Sequence, residues 1–473
     1  MKRTKIVCTI GPACESVEKI KQLAEAGMNV ARLNFSHGSY ASHAHLIKNI
    51  RQVAKARREP IAIMQDLQGP RIRLGKLPPD GIAIKRGDKV VLVPEEKVAS
   101  FKSAKGAIVL PTQIALQKIV KSGETVLIKD GLVRLKAEKV NSEAVWATVE
   151  EGDTLTSNRG INLPESTLPD VVLTAKDRQD VKYGIKQQVD WIALSFVRHA
   201  NDIKILRKMF PRWGAYRPRI VAKIERPEAV QNFAEILQEA DGIMVARGDL
   251  GIELPAQDIP LIQKQLIRDA LLAAKPVIVA TQMLESMITN PRATRAEVSD
   301  VANAVIDQAD ALMLSGETAF GKYPIEACRT MAEVIIKTEG SKFDIVPLHE
   351  TNSTAAPELL AHTISEVSKL DQIKAIIVMS SSGRSAQLVA GERPAAPILA
   401  LTQNELTRRQ LAMVWGVQPD LLKRFDNIDD LFAAAIKLAK KVLKIQRGDK
   451  IIIASGHPTG PHGHLNLLKI HTI

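Results

Sequence analysis

RIVAKIE (219–225) and GIMVARGDLG (242–251) decide the fold, because each is a short apolar run that ends in charged residues. A helix-length segment separates the two runs. This arrangement is typical of two parallel strands joined by a helical crossover. The rest of the chain can therefore be searched for the same unit.

Eight such runs occur along the chain, and most gaps between them hold a helical pattern such as ASHAHLIKNIRQVAKARR. Eight parallel βα units are the number that closes a (β/α)8 TIM barrel, and this α/β fold is our prediction. An open doubly wound sheet is the structural alternative, but no run is followed by a dinucleotide-type glycine fingerprint. The other six runs are KIVCTIG (5–11), NVARLNF (29–35), PIAIMQDL (60–67), WIALSFV (191–197), PVIVATQM (276–283) and ALMLSGET (311–318).

Two further regions lie outside the eight-run series. Residues 70–170 alternate apolar and charged residues, which predicts an all-β domain inserted after strand 3, over the barrel mouth, where it would act as a lid. From about residue 346 the strand and helix pattern restarts. The predicted domains are the catalytic barrel (1–69 and 171–345), the inserted β-barrel lid domain (70–170) and a C-terminal α/β regulatory or oligomerisation domain (346–473).

The composition limits the partners. A net charge of +13 is compatible with nucleic acid, a membrane surface or an anionic metabolite. We find no nucleic-acid-binding motif and no basic strip interleaved with aromatics, although a nucleic-acid-binding protein remains a competing class. Three cysteines without metal spacing, no signal-peptide pattern and no run of 18 apolar residues predict a cytoplasmic protein without membrane contact.

Polar side chains collect where the predicted barrel strands end, and barrel active sites are built at that face. Lys223 and Glu225 lie two residues apart on one strand and so share a face. One such couple can be a structural ion pair, but repetition on most strands favours a functional site, because each buried charge is costly without a partner. The set is Arg32, Asn34, Ser36, Asp66, Ser195, Lys223, Glu225, Arg247, Asp249, Thr281, Gln282, Ser315 and Glu317.

The residue types in this set predict the chemistry. Glu225 and Asp249 are carboxylates able to hold Mg²⁺, which prefers few protein ligands and completes its shell with water and substrate oxygens. Arg32, Lys223 and Arg73 are cations suited to phosphate. Histidine clusters and thiolate sites are missing from the pattern, which argues against zinc and cysteine catalysis. We therefore expect Mg²⁺-assisted chemistry on a phosphorylated, anionic small molecule.

The chain also contains seven longer motifs, in this order: TKIVCTIGPA, MNVARLNFSHG, QDLQGPRIR, AKIERPEAV, DGIMVARGDLGIELP, ATQMLESM and LSGETAFGKYP. Together they resemble the pyruvate kinase family, in its bacterial and plastid-like branch, over essentially the whole chain. The resemblance implies transfer of a phosphoryl group from phosphoenolpyruvate to ADP with Mg²⁺ and often K⁺, in a homotetramer or alternatively a dimer. A Mg²⁺-dependent aldolase or lyase acting on pyruvate enolates is the competing enzyme.

The resemblance also implies roles for individual residues. Lys223 would lie beside the transferred phosphoryl group and the developing enolate oxygen, where it is catalytic together with Arg32 and Thr281. Glu225 and Asp249 would hold Mg²⁺. Thr281 and a water held near Ser315 and Glu317 are our candidates for the proton path to the enolate. The implied substrate-binding residues are Arg32, Gly248, Asp249 and Thr281, and the implied nucleotide-binding residues are Arg73, Lys176 and His37.

A K⁺ site is implied where the third strand enters the inserted domain. The chain departs from the common family pattern there, because it has Leu67, Gln68 and Arg71. Family members with Leu-Gln and a lysine in place of Arg71 are K⁺-independent, so we expect weak or absent K⁺ dependence, with the Arg71 charge replacing the ion. The alternative is a solvated arginine at the lid edge. The implied K⁺ ligands are Asn34, Ser36, Asp66 and Leu67 through its carbonyl.

The C-terminal domain carries a Ser/Gly-rich loop, SSSGRS (380–385), after an apolar strand. The loop resembles the family's cradle for the phosphate of a sugar-phosphate effector. A polar strand-to-helix turn capped by Ser385 is the alternative. A later loop carries Pro461 and His462 in place of the usual Thr-Asn pattern, so the identity and existence of an effector stay open. The implied phosphate ligands are Ser380, Ser381, Ser382 and Ser385.

Overall fold

Eight parallel strands form a closed barrel in which every strand pairs with the strands before and after it. The protein is represented by a computed structural model that describes residues 2–101, 106–166, 172–345, 355–369, 373–425, 427–456 and 464–473. Lys5 pairs with Ala311, which joins the first strand to the eighth and confirms the predicted (β/α)8 barrel over the open sheet. The barrel strands are Lys5–Thr9, Val30–Asn34, Ala62–Asp66, Trp191–Leu194, Arg219–Ile224, Gly242–Ala246, Val277–Ala280 and Ala311–Leu314.

Helices pack around the outside of the barrel through their apolar faces. The first helix shows the local logic, because Ser16 caps its N-terminus by accepting from the Lys19 N–H, while Ile20 and Leu23 are buried. The barrel strands are buried on both faces, as expected for a parallel sheet covered by helices. The barrel helices are Val17–Ala26, Tyr40–Arg57, Ala175–Lys186, Ala200–Met209, Pro227–Gln231, Phe233–Glu239, Arg247–Glu253, Ile259–Leu272, Arg295–Ile306, Gly316–Ala319 and Pro324–Glu339.

The chain between the third barrel strand and the helix Ala175–Lys186 forms an all-β domain, as predicted. Its main sheet has seven strands, and a bridge between Leu74 and Thr112 joins the two edge strands. Two short strands form a separate pair. The strands are Ile72–Arg73, Ile82–Ala83, Lys89–Pro94, Ile108–Thr112, Thr125–Ile128, Val133–Val140, Val145–Glu151, Thr154–Leu155 and Gly160–Asn162.

The C-terminal domain is a five-stranded sheet covered by helices, which confirms the predicted separate α/β domain. Three of its strands lie in the apolar runs from which the sequence predicted this domain, AIIVMSSSG (375–383), PILALTQ (397–403) and DKIIIASG (449–456), and the two edge strands were not predicted. The strand Val417–Leu421 contains Pro419, and because proline is tolerated only at a sheet edge, its sequence is not typical of a strand. The strand Leu467–Thr472 is largely exposed and lacks an apolar run. The strands are Ile373–Met379, Ile398–Thr402, Val417–Leu421, Lys450–Ser455 and Leu467–Thr472, and the helices are Ala356–Ser368, Arg384–Gly391, Glu405–Leu411 and Ile428–Leu443.

The C-terminal domain packs at the N-terminal ends of the barrel strands. Arg393 pairs with Asp310, just before the eighth strand, at 3.0 Å. Arg409 pairs with Asp190, just before the fourth strand, at 2.7 Å. This domain therefore lies opposite the strand ends that carry the candidate site. Among the helices of the described residues, none is long and apolar enough to cross a membrane.

Candidate active site at the barrel mouth

Side chains from two barrel strands converge on the carboxylate of Asp66, which ends the third strand and is 1% exposed. Arg32, from the second strand, donates from Nε to its Oδ2 at 2.6 Å. Lys223, from the fifth strand, lies with its Nζ 3.2 Å from the other oxygen. The adjacent second and third strands place Asn34 opposite Asp66, which fixes the relative height of these side chains. The structure thus brings two of the three predicted phosphate cations, Arg32 and Lys223, together around one carboxylate.

Lys223 is held as a fixed cation. Its Nζ lies 2.7 Å from Glu225 Oε1 and donates to Ser195 Oγ at 2.8 Å. Burial alone would lower the pKa of Lys223, but the Asp66 and Glu225 carboxylates outweigh burial and raise it. Burial likewise would raise the pKa of Asp66, whereas Lys223 and Arg32 hold it below its usual value. Both groups are therefore charged over the whole physiological pH range.

Glu225 and Asp249 form the pair of carboxylates that the sequence predicted as metal ligands. Glu225 is 2% exposed, and its Oε2 accepts from the Phe196 N–H at 2.7 Å. Burial raises the pKa of Glu225; Lys223 counteracts this, and the charge of Asp249 raises it further. Asp249 lies in the first turn of the helix Arg247–Glu253. Two oxygen donors that repel each other at the mouth of the barrel are the chemistry that suits Mg²⁺.

Thr281 lies directly after the seventh strand in the left-handed region, with φ 69°, which is an outlier for a β-branched residue. This backbone turns its hydroxyl toward the start of the helix Arg247–Glu253. Thr281 Oγ1 accepts from the Gly248 N–H at 2.7 Å and donates to the Ala280 carbonyl at 2.6 Å. Arg247 supports the same turn by donating to the Thr281 carbonyl at 2.8 Å. The structure therefore joins Thr281 to Gly248, two of the predicted substrate-binding residues.

The predicted nucleotide-binding residues fall into two places. Lys176 Nζ donates to the Phe35 carbonyl and to Asp180, each at 2.6 Å, so it lies beside the loop that contains the exposed His37. Arg73 lies in the inserted domain and donates to the Asn158 carbonyl at 3.0 Å. Within the described residues, no hydrogen bond or ion pair joins Arg73 to the other two.

The predicted K⁺ ligands have partners within the protein. Asn34 Oδ1 accepts from the Ser36 N–H at 3.1 Å, and the Leu67 carbonyl accepts from Ser195 Oγ at 2.7 Å. Arg71 points into the inserted domain, where it pairs with Asp130 at 2.9 Å. The described contacts of Arg71 do not include any of the four predicted K⁺ ligands.

The predicted effector loop lies on the rim of a cavity of about 120 Å³ in the C-terminal domain. Ser380 Oγ accepts from the Gly383 N–H at 3.0 Å, and Gly383 caps the helix Arg384–Gly391 with φ 85°. Ser385 therefore lies in the first turn of that helix and is not its cap. Pro461 and His462 lie outside the described residues. The polar and charged residues lining the cavity are Ser380, Ser381, Thr402, Gln403, Lys423, Arg424 and Ser455.

Sequence reasoning missed the contact between the inserted domain and the helix of Asp249. Asn162 Nδ2 donates to Glu253 Oε1 at 3.2 Å, and Arg226 Nη1 lies 3.4 Å from the same oxygen. The sequence indicates these two residues only by their neighbours, because Arg226 follows the predicted ligand Glu225 and Glu253 ends the segment RGDLGIE that contains Asp249. Nothing in the sequence pairs either residue with Asn162.

The comparisons with known proteins agree over both halves of the chain. The family model described as "Pyruvate kinase, barrel domain" matches residues 1–328, and "Pyruvate kinase, alpha/beta domain" matches residues 358–471. The chain is similar over its full length to the pyruvate kinase of Geobacillus stearothermophilus, at 43% identity and 80% of that protein's length. It is 41% identical to pyruvate kinase 2 of Synechocystis sp. and to the pyruvate kinase of Staphylococcus aureus, covering 79% and 81% of their lengths.

Proposed function

The chain belongs to the pyruvate kinase family, and from this we propose that it transfers the phosphoryl group of phosphoenolpyruvate to ADP at the mouth of its barrel. The observation that carries the proposal is the position of Lys223, a buried cation held between Asp66 and Glu225. Phosphoryl transfer needs positioning and charge stabilisation more than covalent chemistry, and this cluster supplies both.

Lys223 and Arg32 stabilise the negative charge that grows during the reaction. Asp66 holds both cations, so they need no reorganisation when the phosphoryl group moves and the enolate oxygen becomes anionic. Arg32 also donates to Thr9 Oγ1 at 2.9 Å, which fixes its guanidinium plane. We assign Arg32 to the phosphoryl group and Lys223 to the position between the phosphoryl group and the enolate oxygen.

Glu225 and Asp249 are the residues that would hold Mg²⁺. The oxygen-only donor set fits this ion, and the raised pKa of Glu225, caused first by burial and then by Asp249, indicates a site that favours an added positive charge. When bound, Mg²⁺ supplies Lewis-acid polarisation of the phosphoryl and carboxylate oxygens. Without the ion, Lys223 compensates part of the charge of Glu225.

The start of the helix Arg247–Glu253 would bind the substrate carboxylate. The first N–H groups of a helix have no partner within it, and they favour an anion. Thr281, bonded to the Gly248 N–H, would contact the carboxylate and take part in delivering the proton to the enolate through a water. Glu317 is excluded as the acid, because it is fully buried and its two oxygens accept from the Leu284 and Ser315 N–H groups.

The remaining parts of the proposal concern the nucleotide, the monovalent ion and assembly. Arg73, Lys176 and His37 would meet ADP when the inserted domain, residues 70–170, closes as a lid on the barrel of residues 1–69 and 171–345. Asp66 already has two cationic partners, which supports weak K⁺ dependence. Residues 346–473 would bind an anionic effector, such as a sugar phosphate, in the cavity beside Ser380. We further propose a cytoplasmic homotetramer.

A coupled assay tests the proposed activity. Pyruvate formed from phosphoenolpyruvate is reduced by lactate dehydrogenase, and NADH loss is followed with and without ADP and Mg²⁺. We expect NADH loss only when both are present. Pyruvate formed from an aldol substrate without ADP would instead support the aldolase or lyase alternative. The inserted domain, which carries the proposed ADP-binding Arg73, argues against that alternative. Absence of pyruvate from either substrate would contradict both.

A further inference from the structure

A hydrogen bond crosses from the inserted domain to the barrel at the end of the helix that carries Asp249. Asn162 is the last residue of the inserted strand Gly160–Asn162, and its amide Nδ2 donates to Glu253 Oε1 at 3.2 Å. Asn162 is 8% exposed, and the side chain of Glu253 is 1% exposed. The bond is therefore shielded from water, where hydrogen bonds to a charged group are strongest.

Arg226 anchors the barrel side of this contact. Its side chain is 3% exposed, and its Nη1 lies 3.4 Å from Glu253 Oε1. Its Nε and Nη2 each lie 3.1 Å from one carboxylate oxygen of Glu228. The second oxygen of Glu253 is buried and has no hydrogen-bond partner within the described residues. Glu253 therefore depends on Asn162 and Arg226 for its stabilisation.

Short connections lead from this contact to the two halves of the active site, through a strand pairing on one side and along the chain on the other. On the inserted side, Gly160 pairs with Arg73 across the sheet, two residues from Asn162. On the barrel side, Glu253 ends the short helix whose first turn carries Asp249. Arg226 directly follows Glu225. The contact therefore connects the part of the inserted domain that carries Arg73 with the part of the barrel that carries Glu225 and Asp249.

We propose that Asn162, Glu253 and Arg226 are positioning residues that set the distance between the nucleotide held by the inserted domain and the metal carboxylates of the barrel. The inference rests on the proposed function, since it assigns Arg73 to ADP. A helix of seven residues moves as one piece, so a shift at Glu253 displaces Asp249. Losing one hydrogen bond to a charged group corresponds to about ten-fold or more in an equilibrium constant.

Removing the amide tests the contact. We expect Asn162→Ala to raise the KM for ADP about ten-fold and to lower kcat, with the KM for phosphoenolpyruvate within about two-fold of the wild type. Calorimetric titration of ADP with Mg²⁺ should show the same loss of affinity. The matched control is Gln117→Ala, an amide of the inserted domain whose side-chain oxygen has no partner in the described structure. If Asn162→Ala keeps the wild-type KM and affinity for ADP, the proposal is overturned. The same holds if the variant lowers the melting temperature and leaves ADP binding unchanged.

A polarity swap separates positioning from a general structural role. Asn162→Asp places a carboxylate against Glu253 and should impair ADP binding more than the alanine variant. Adding Glu253→Gln restores a donor–acceptor pair with reversed direction, so the double variant should recover most of the ADP affinity lost by Asn162→Asp. Additive losses in the double variant would contradict the proposal. A wild-type enzyme that forms no pyruvate would refute the proposed function instead, whereas an active enzyme with indifferent variants refutes only this inference.

Discussion

Replacing Lys223 by methionine separates the two contributions of this residue. Methionine keeps most of the chain length and removes the charge. Without Mg²⁺, Glu225 would lose the cation 2.7 Å away and keep the Phe196 N–H as partner, while Asp66 keeps Arg32. The variant should therefore be less stable when metal-free and much less active when metal-loaded.

Both magnitudes follow from the contacts. Removing one partner of a buried ion pair costs about 3–5 kcal/mol, and the retained pair of Asp66 with Arg32 places the loss at the lower end. For a barrel of this size that corresponds to a melting point lower by about 6–12 °C. Losing one preorganised charge-stabilising group lowers kcat about 10²–10³-fold. Saturating Mg²⁺ should recover more stability in the variant than in the wild type, because the ion replaces the missing charge next to Glu225.

Thermal unfolding with and without Mg²⁺, together with kcat at saturating substrates, measures these effects. Lys275→Met is the matched control, because the described hydrogen bonds of this half-buried lysine go to two backbone carbonyls near the end of a helix. The control should keep wild-type kcat and the wild-type response to Mg²⁺. A Lys223→Met enzyme with kcat within ten-fold of the wild type, or with the wild-type Mg²⁺ shift, would refute the reasoning.

Four further predictions follow from single features. Arg73→Ala should raise the KM for ADP at least ten-fold and leave the KM for phosphoenolpyruvate unchanged; equal changes in both would remove Arg73 from the nucleotide site. Replacing tetramethylammonium by K⁺ should raise the rate less than about two-fold, because Asp66 already pairs with Arg32 and Lys223; a many-fold rise would contradict this prediction. Burial lowers the pKa of Lys5 to about 7, so between pH 7 and 10 the unfolded chain binds more protons and stability rises with pH. Lys5→Met should therefore melt above the wild type at pH 6, with a gap that closes toward pH 10; a constant gap would disagree. Sugar phosphates should bind the cavity beside Ser380 in calorimetry, and the absence of both heat and a kinetic effect would argue against an effector site.

The fold was largely predictable, because hydrophobic runs report burial directly. All eight barrel strands lie within the predicted apolar runs, and four of the charged residues at their ends, Arg32, Asp66, Lys223 and Glu225, contact one another at the mouth. The missed strands, Val417–Leu421 and Leu467–Thr472, are edge strands, where one face and one row of backbone groups stay accessible. An edge strand needs no continuous apolar run, so its sequence carries a weaker pattern.

Within the site, residue types were predictable and pairings were not. Asp66 was predicted as a ligand of a monovalent ion, which stays a prediction, and the sequence did not indicate that its carboxylate pairs with Arg32 and Lys223. Arg71 was placed by charge alone, but its partner Asp130 lies on a hairpin of the inserted domain. Such contacts depend on side-chain direction and on how one domain docks on another. The spacing of residues along the chain gives no information on either of these.

The most direct test of the account is ³¹P NMR of the purified enzyme with phosphoenolpyruvate, ADP and Mg²⁺. The account predicts that the phosphoenolpyruvate resonance declines while one ATP forms for each phosphoenolpyruvate consumed. It also predicts that Glu225→Gln abolishes this phosphoryl transfer. Inorganic phosphate appearing in place of ATP, or an undiminished rate in Glu225→Gln, would contradict phosphoryl transfer at this barrel mouth.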